Sequence, residues 1–262
     1  MPIQCKEEIK LITEQEFHKI DYDIMNTVFS IHNSLGRFLD EKLYNKALTE
    51  MIPGSHREVE ISVLHKDYTK KYYLDILIEN SVIYELKTVT KLNSIHRLQL
   101  LNYLFLTNSN HGKLINFRPA SVEYEFVSTK INKDIRFSYK FDTNYWNKSD
   151  ELCIFIEQKL KDLFADWGGF LDVDLYKSAL IYFLGGEDNL ETNIDILFNN
   201  KKIGEQKVIL LNKNTTIHFS AVADNYEKYM IHLKRFLYNS NLKSILWINI
   251  NKETIILNKI TK

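Results

Sequence analysis

The chain has 262 residues, of which 45% are hydrophobic and 26% are charged, a composition that supports a packed core and excludes a disordered chain. Its 34 Lys and Arg residues balance its 34 Asp and Glu residues, which excludes attraction of nucleic acid by the overall field of the protein. Any contact with nucleic acid must therefore depend on a local patch, and the length allows one large domain or two smaller ones.

The sequence shows no membrane span and no secretion signal. The longest apolar runs, such as residues 179–184, are too short to cross a bilayer. The first residues lack the apolar core of a signal peptide. Cys5 and Cys153 are the two cysteines and have no CxxC spacing, which is typical of a reduced protein rather than a disulfide scaffold. We therefore expect a cytoplasmic protein without a membrane partner.

Hydrophobic periodicity and turn signals divide the first half of the chain into helices and strands. Thr13 and Glu16 have capping-box spacing before an apolar stripe that ends at Leu35, which predicts a long amphipathic helix. Asn93 can cap a later helix. The other predicted elements are a helix over 39–52 and strands over 58–65, 71–79, 82–89, 113–117 and 122–128. This α-β-β-β-α-β order indicates one sheet with helices packed on it.

The same pattern restarts after residues 129–148, which lack periodicity and which we interpret as a connector. At an offset of 132, residues 36–48 align with 168–180, and eight of the 13 positions are identical. Because further matches keep their order along the chain, they indicate a tandem duplication rather than coincidence. The predicted domains are then 13–128 and a second repeat over 149–258.

The pattern Asp-x9-Glu-x-Lys occurs twice, each time in a strand-like segment with a turn signal midway. The two copies are Asp75, Glu85 and Lys87, and Asp195, Glu205 and Lys207. In a hairpin centred on Asn80, the two acids of the first copy lie nearly opposite each other, close enough to share a hard cation. The lysine points to the same face and can act on a phosphate group. Charged hairpins are more often solvent-exposed, but apolar neighbours such as Leu74 and Leu86 make unpaired charges costly here.

Several short motifs follow one another in the first domain. They comprise residues 36–44 with 47–48, then 74–77, 84–87, 99–104 and 114–117. Together they cover roughly 13–128 and resemble the GxxExxY protein family, which belongs to the PD-(D/E)xK nuclease superfamily. One position departs from that family, because Phe38 stands where the glycine of the family name is expected, while the preceding family glycine is present as Gly36.

The resemblance implies a fold, a site and a cofactor. The implied fold is α/β, a restriction-endonuclease-like mixed sheet flanked by helices, which is tandemly duplicated in this chain. By the same resemblance, Asp75 and Glu85 are metal ligands, Glu41 is a further acid at the metal, and Lys87 is the catalytic lysine. Gln99, from the helix after the motif, would hold the substrate or the lysine. The implied cofactor is Mg²⁺ or Mn²⁺, and the implied partner is nucleic acid, either DNA or RNA.

The second repeat lacks part of this residue set. Its positions matching Glu41 and Gln99 hold Val173 and Met230. The second triplet, which begins at Asp195, remains as a degenerate second site. Because this triplet is offset from the first by 120 residues and not 132, we expect that the repeat has lost about a dozen residues, roughly one strand, before Asp195.

Two functions fit the sequence. The first is a metal-dependent nuclease that hydrolyses phosphodiester bonds at the N-terminal site. The alternative is a catalytically inactive nuclease-fold module that binds nucleic acid or a protein partner, and the neutral net charge and the eroded second repeat somewhat favour it. A weaker hypothesis is that the two repeats form an intramolecular pseudo-dimer.

Overall fold

The computed structural model describes residues 1–262, which form two compact units, Met1–Lys133 and Asp134–Lys262. The first unit contains three helices and six strands. In chain order these elements are β1 Ile3–Cys5, α1 Glu14–Leu35, α2 Glu41–Met51, β2 Ser55–His65, β3 Tyr68–Ile78, β4 Val82–Lys87, α3 Ser94–Thr107, β5 His111–Asn116 and β6 Glu123–Ser128.

The strands of the first unit form one mixed sheet in the order β1-β2-β3-β4-β5-β6. Neighbouring strands are antiparallel except β4 and β5, which are parallel and joined by the crossover helix α3. Every residue of β4 is buried, as expected for a central strand covered on both faces. Ile76 and Tyr84 pack with α1 and α2, so the alternate residues, Glu85 among them, face α3.

The first helix begins where its capping box predicts. The Thr13 backbone N–H donates to Glu16 Oε2 at 2.8 Å, and the Glu16 backbone N–H donates to Thr13 Oγ1 at 3.3 Å. Phe17 and Val28 on its apolar face are fully buried in the core between α1, α2 and the sheet. The predicted order of helices and strands in the first half is confirmed, with β1 as an additional strand.

The second unit is also α/β. Its elements, beginning at the boundary between the units, are α4 Lys133–Arg136, β7 Lys140–Tyr145, α5 Glu151–Trp167, α6 Val173–Phe183, α7 Glu187–Leu190, β8 Glu191–Phe198, β9 Lys201–Asn212, β10 Thr215–Ser220, α8 Tyr226–Tyr238, β11 Ser244–Asn251 and β12 Thr254–Thr261. Its sheet has the order β7-β12-β11-β10-β9-β8. None of the eight helices in the chain combines the length and the apolar character needed to cross a membrane.

The two units share one topology. In each, two helices precede three strands connected in antiparallel fashion, a crossover helix leads to a parallel strand, and a last antiparallel strand follows. Strands β2 to β6 therefore correspond to β8 to β12, and α3 corresponds to α8. The tandem duplication of a restriction-endonuclease-like fold is thus evident in two six-stranded mixed sheets flanked by helices.

Two buried asparagines fix the register of this correspondence. Asn116 accepts a hydrogen bond from the Val89 backbone N–H at 3.0 Å and donates to the Val89 carbonyl at 2.8 Å. Asn249 makes the same pair of bonds to Val222, at 2.7 Å and 3.0 Å. In both units the valine lies just after the strand that precedes the crossover helix. The asparagine side chain supplies the hydrogen bonds that a neighbouring strand would otherwise make to the valine backbone.

A tyrosine also has the same role in both units. The Tyr44 hydroxyl donates to the carbonyl of Gly36 at 2.7 Å, and the ring stacks on Phe117 with centroids 4.2 Å apart. The Tyr176 hydroxyl donates to the carbonyl of Gly168 in the same way. Each tyrosine therefore fixes the turn that leads into the second helix of its unit. Despite Phe38, this turn forms, with Gly36 at a φ of 71°.

Two interpretations of the second half were wrong. Residues 129–148 are not only a connector, because β7 within them pairs with β12 at the sheet edge. The second repeat has not lost a strand before Asp195 either, since β8 carries this residue and corresponds to β2. What differs is the sixth strand: β1 is added next to β2 in the first sheet, whereas β7 is added next to β12 at the opposite edge of the second.

Candidate active site

The candidate site of the first unit is built on the β3–β4 hairpin. Three residues, Glu79 to Ser81, connect the two strands, and Glu79 and Asn80 both have a positive φ, as in the tight turns of hairpins. Ile76 pairs with Tyr84 across the two strands, so Asp75 lies opposite Glu85 one step further along. Residues opposite each other in an antiparallel pair project to the same face, and the two carboxylates therefore lie side by side.

Glu85 is the most enclosed acid of the site. It is 1% exposed, and its Oε1 accepts a hydrogen bond from Lys87 Nζ at 2.5 Å. The other oxygen, Oε2, is buried without a hydrogen-bond partner. Burial raises the pKa of Glu85 to about 8, with a further increase from the neighbouring Asp75 carboxylate that Lys87 opposes. Glu85 is thus a buried acid with one oxygen free for a further ligand.

Both the side chain and the backbone carbonyl of Asp75 accept hydrogen bonds. Its Oδ2 accepts a hydrogen bond from the Leu86 backbone N–H at 2.8 Å, and its backbone carbonyl accepts one from Asn45 Nδ2 at 3.0 Å. Burial raises the pKa of Asp75, while the Leu86 N–H and Lys87 act in the opposite direction. Asn45, which lies on the buried face of α2, was not identified from the sequence; a polar residue within an apolar helix face was the available signal.

Lys87 remains a cation in this environment. Burial lowers the pKa of Lys87, but the combined effect of the Glu85, Glu41 and Asp75 carboxylates is larger and leaves the pKa raised. Its ammonium group can therefore donate hydrogen bonds and supply positive charge. It is not set up to accept a proton.

Glu41 is the first residue of α2, as its place in the motif requires. Burial raises the pKa of Glu41, Asp75 raises it further, and Lys87 lowers it, which shows that its carboxylate faces the same site. However, no group of three or more His, Cys, Asp or Glu side chains is arranged to hold a metal ion. Of the two acids whose charges raise the pKa of Glu85, Asp75 contributes more than Glu41.

A further acid, Glu58, was missed in the sequence. Arg57 pairs with Ile76 and Val59 with Leu74, so Glu58 on β2 lies opposite Asp75. Its charge contributes to raising the pKa of Asp75. Glu58 has a φ of 51°, an uncommon conformation for a residue with a side chain, and strained backbone of this kind clusters at functional sites. No sequence pattern marks this residue, because its relation to Asp75 comes only from strand pairing.

Gln99 lies at the site but does not bond to the lysine. Its Nε2 donates to the Tyr103 hydroxyl, one turn later on α3, at 3.1 Å. Burial raises the pKa of Tyr103 to about 12, and the next contribution comes from the Glu85 carboxylate, which places the phenol near the acids. Gln99 and Tyr103 thus form a polar pair on the helix that covers this face of the sheet.

The donor set fits a divalent cation that keeps several waters. Mg²⁺ commonly takes one or two protein carboxylates and fills its remaining positions with water and substrate phosphate oxygens. The unpartnered Oε2 of Glu85 beside Asp75 is a carboxylate oxygen of the required kind. Asp75 and Glu85 are therefore the residues that would hold the ion, with Glu41 placed to act on its water shell.

The predicted degenerate second site is not equivalent to the first. Asp195 and Glu205 do lie opposite each other, but on β8 and β9, which correspond to β2 and β3. Lys202 bridges both acids, at 2.6 Å and 2.7 Å, and Lys207 pairs with Glu191 instead. All three members of the triplet are at least partly exposed. The triplet is a set of surface ion pairs on a different hairpin.

The true counterparts of the acids follow from strand pairing and from the asparagine anchors. Ile217 pairs with Ile209, so His218 on β10 lies opposite Val208 on β9. A constant separation of 133 residues relates Val89 to Val222, and the same separation places Val208, His218 and Ser220 at the positions of Asp75, Glu85 and Lys87. The second unit therefore has neither carboxylate and no lysine at these positions.

Comparison with known proteins agrees with the fold of the first unit. Residues 18–127, a little under half of the chain, match the family model of the PD-(D/E)XK nuclease superfamily. No curated protein matches the chain. A solved structure described as "Crystal structure of SSO0001" is 18% identical, and the match covers 49% of this chain and 71% of that chain with a TM-score of 0.29. Similarity at that level carries no functional argument.

The family match covers the part of the first unit that carries the candidate site. Residues 18–127 match the PD-(D/E)XK nuclease superfamily, and Asp75, Glu85 and Lys87 lie within the matched range. Such a domain suggests a nuclease and, with it, a nucleic-acid substrate. Nucleases of this superfamily typically use divalent metal ions.

Proposed function

We propose that the first unit is a divalent-metal-dependent nuclease of the GxxExxY type, which hydrolyses phosphodiester bonds of nucleic acid. One observation carries the proposal: Glu85 is fully enclosed, yet one of its oxygens has no partner, beside a second buried acid and a lysine. A buried carboxylate of this kind is costly for a merely structural site, because removing a charge from water must be compensated by pairing or by a metal. It is well suited to a cation-binding site.

Each residue has a role that its surroundings support. Asp75 and Glu85 would hold Mg²⁺ or Mn²⁺, which supplies an activated water at neutral pH and neutralises charge on the phosphate. Lys87, kept cationic by its neighbours, donates hydrogen bonds to the oxygens on which negative charge develops. Glu41 accepts a proton, or a hydrogen bond from a water molecule, at the edge of the site. Gln99 and Tyr103 present polar hydrogen-bonding groups to the substrate.

The proposal is tested by measuring cleavage of single- and double-stranded DNA and RNA with Mg²⁺ or Mn²⁺. We expect Asp75→Ala and Lys87→Ala to lower the rate by about 10³-fold or more, since removing one group of a catalytic set costs orders of magnitude. Asp195→Ala and Glu205→Ala are matched controls, because they remove paired acids from the second unit, and both should cleave like the unaltered protein. Cleavage that survives Lys87→Ala, or that is lost in Glu205→Ala, would contradict the proposal.

The alternative function is a nuclease fold that binds a partner without catalysis. One observation favours it, and this observation concerns the second unit alone. There Val208 and Ser220 replace the aspartate and the lysine, and the Ser220 hydroxyl is used to donate to Asn249 at 2.7 Å. We therefore assign catalysis to the first unit and a non-catalytic role to the second.

A further inference from the structure

The second unit contains a large cleft at the position of the first unit's active site. The cleft has a volume of about 660 Å³ and is lined by α6, β9, β10 and α8. These elements correspond to α2, β3, β4 and α3, which surround Asp75 and Glu85 in the first unit. Its size lies within the range of sites for small organic ligands, about 300–1,000 Å³. The second unit has therefore kept a cleft at this position, although the residues that line it differ from those of the first unit.

Cations and polar rings line this cleft together with two carboxylates, Glu187 and Glu191, and both of these acids interact with Lys207. His218, at the position of Glu85, bonds through Nε2 to the Tyr229 hydroxyl at 2.7 Å. Lys177, on α6, lines the same cleft, is partly exposed and makes no ion pair. Burial lowers the pKa of His218, and the positive charge of Lys177 lowers it further. Lys177 is thus a cation of this lining that no acid pairs with, and together with the polar ring of His218 it matches an anionic group.

The remaining residues that line the cleft form apolar walls inside it and a charged rim at its edge. Val208, Ile217, Leu233 and Phe236 supply apolar walls. At the rim, Glu191 is paired with Lys207 at 2.8 Å, and Glu187 also interacts with this lysine. A ligand with a flat apolar body and one anionic end would bury its body against the walls and place its charge at Lys177.

We propose that the second unit binds a nucleotide without a metal ion, with its phosphate at Lys177 and His218 and its base between the apolar walls. The choice of a nucleotide over another organic anion rests on the proposed function, since a nuclease acts on chains of nucleotides. The ligand chemistry is shared by a free nucleotide and by the phosphorylated end of a nucleic-acid strand. The second unit would then retain substrate or product of the first unit, or sense free nucleotide.

The test is calorimetric titration of the full-length chain in EDTA with adenosine 5′-monophosphate, adenosine and inorganic phosphate. The monophosphate should bind more tightly than either fragment. Lys177→Ala should weaken its binding about tenfold or more, the usual effect of losing a charge-assisted hydrogen bond. His218→Gln should weaken it as well. Lys234→Ala is the matched control, since it removes an exposed lysine of α8 that does not line the cleft, and it should bind normally.

Two further measurements separate this proposal from the nuclease proposal and identify the source of the ligand. Asp75→Ala, which disables the first site, should leave nucleotide binding unchanged. A 5′-phosphorylated oligothymidylate that competes with the monophosphate better than its unphosphorylated form indicates a strand end, and failure to compete indicates a free nucleotide. The proposal is wrong if the monophosphate does not bind at millimolar concentration, if Lys177→Ala and Lys234→Ala have equal effects, or if Asp75→Ala abolishes binding.

Discussion

Lys113 on β5 and Asp21 on α1 form a buried ion pair, with 2.5 Å between Lys113 Nζ and Asp21 Oδ2. The other oxygen of Asp21 accepts a hydrogen bond from the Tyr84 hydroxyl at 2.8 Å. Tyr84 immediately precedes Glu85 and projects to the opposite face of β4. The network therefore joins the first helix to the strand that carries Glu85.

Breaking this pair on one side should destabilise the first unit strongly. Lys113→Met leaves the Asp21 carboxylate buried without its cation, a change that typically costs about 3–5 kcal/mol. The double variant Lys113→Met with Asp21→Leu removes both charges and should recover much of that loss. Urea unfolding followed by circular dichroism measures both effects. Lys71→Met, which breaks the exposed pair with Glu60, is the control and should change little.

Metal binding should depend on pH through Glu85. The pKa of this acid in the free protein is raised to about 8, so a cation must displace its proton at neutral pH. The apparent affinity for Mn²⁺ should therefore increase as pH rises, by up to about tenfold per unit, and level off above pH 8. Calorimetry across this range provides the test. Glu85→Gln should bind Mn²⁺ weakly and lose the pH dependence. If the apparent affinity of the unaltered protein and that of Glu85→Gln change equally with pH, Glu85 is not the group responsible.

Glu58 should contribute to metal affinity by its charge. Glu58 lies opposite Asp75, so Glu58→Gln removes one negative charge near the cation. Because Glu58 is exposed and water screens its charge, the change should weaken Mn²⁺ binding by roughly fivefold, or about 1 kcal/mol. Glu60→Gln is the matched control two residues along the same strand, where the acid pairs with Lys71. An equal loss in both variants would mean that Glu58 has no special position.

The second unit should lose stability in mild acid because of His218. In the unfolded chain this imidazole takes up a proton near its ordinary pKa of 6.5, whereas burial and Lys177 keep it neutral to lower pH in the folded protein. The unfolded state then binds more protons, so the contribution of His218 is complete above pH 6.5 and is lost as pH falls through its folded pKa. Denaturation of His218→Gln should show a smaller loss over this range than the unaltered protein. Identical pH profiles would contradict the assignment.

The placement of Asp75 opposite Glu85 could be predicted from sequence because both residues belong to one local element. Asp75 and Glu85 belong to one hairpin, whose three-residue connection sets their register, and Glu41 begins a helix that Pro53 and Gly54 follow. Contributions from distant segments were not predictable. Glu58 reaches Asp75, and Asn116 reaches the Val89 backbone, only through the folded sheet, and neither residue has a distinguishing pattern in its own neighbourhood.

The second triplet was misassigned for a related physical reason. Asn199 and Asn200 both have a positive φ, like Glu79 and Asn80, so the β8–β9 hairpin carries the same local turn signal as β3–β4. Two successive hairpins in one repeat cannot be told apart by such a signal. The distinction came from the crossover helix and from the Asn249 anchor, both of which depend on tertiary structure.

The short strand β1 has a consequence for trimmed forms of the protein. It pairs Ile3 with Val63 and covers the outer edge of β2. A truncated chain that begins at Thr13, where the resemblance to nucleases starts, would leave the edge of β2 with unpaired backbone groups. Open edges of this kind recruit strands from other molecules. We therefore expect such a trimmed domain to aggregate, even though its catalytic residues would all be present.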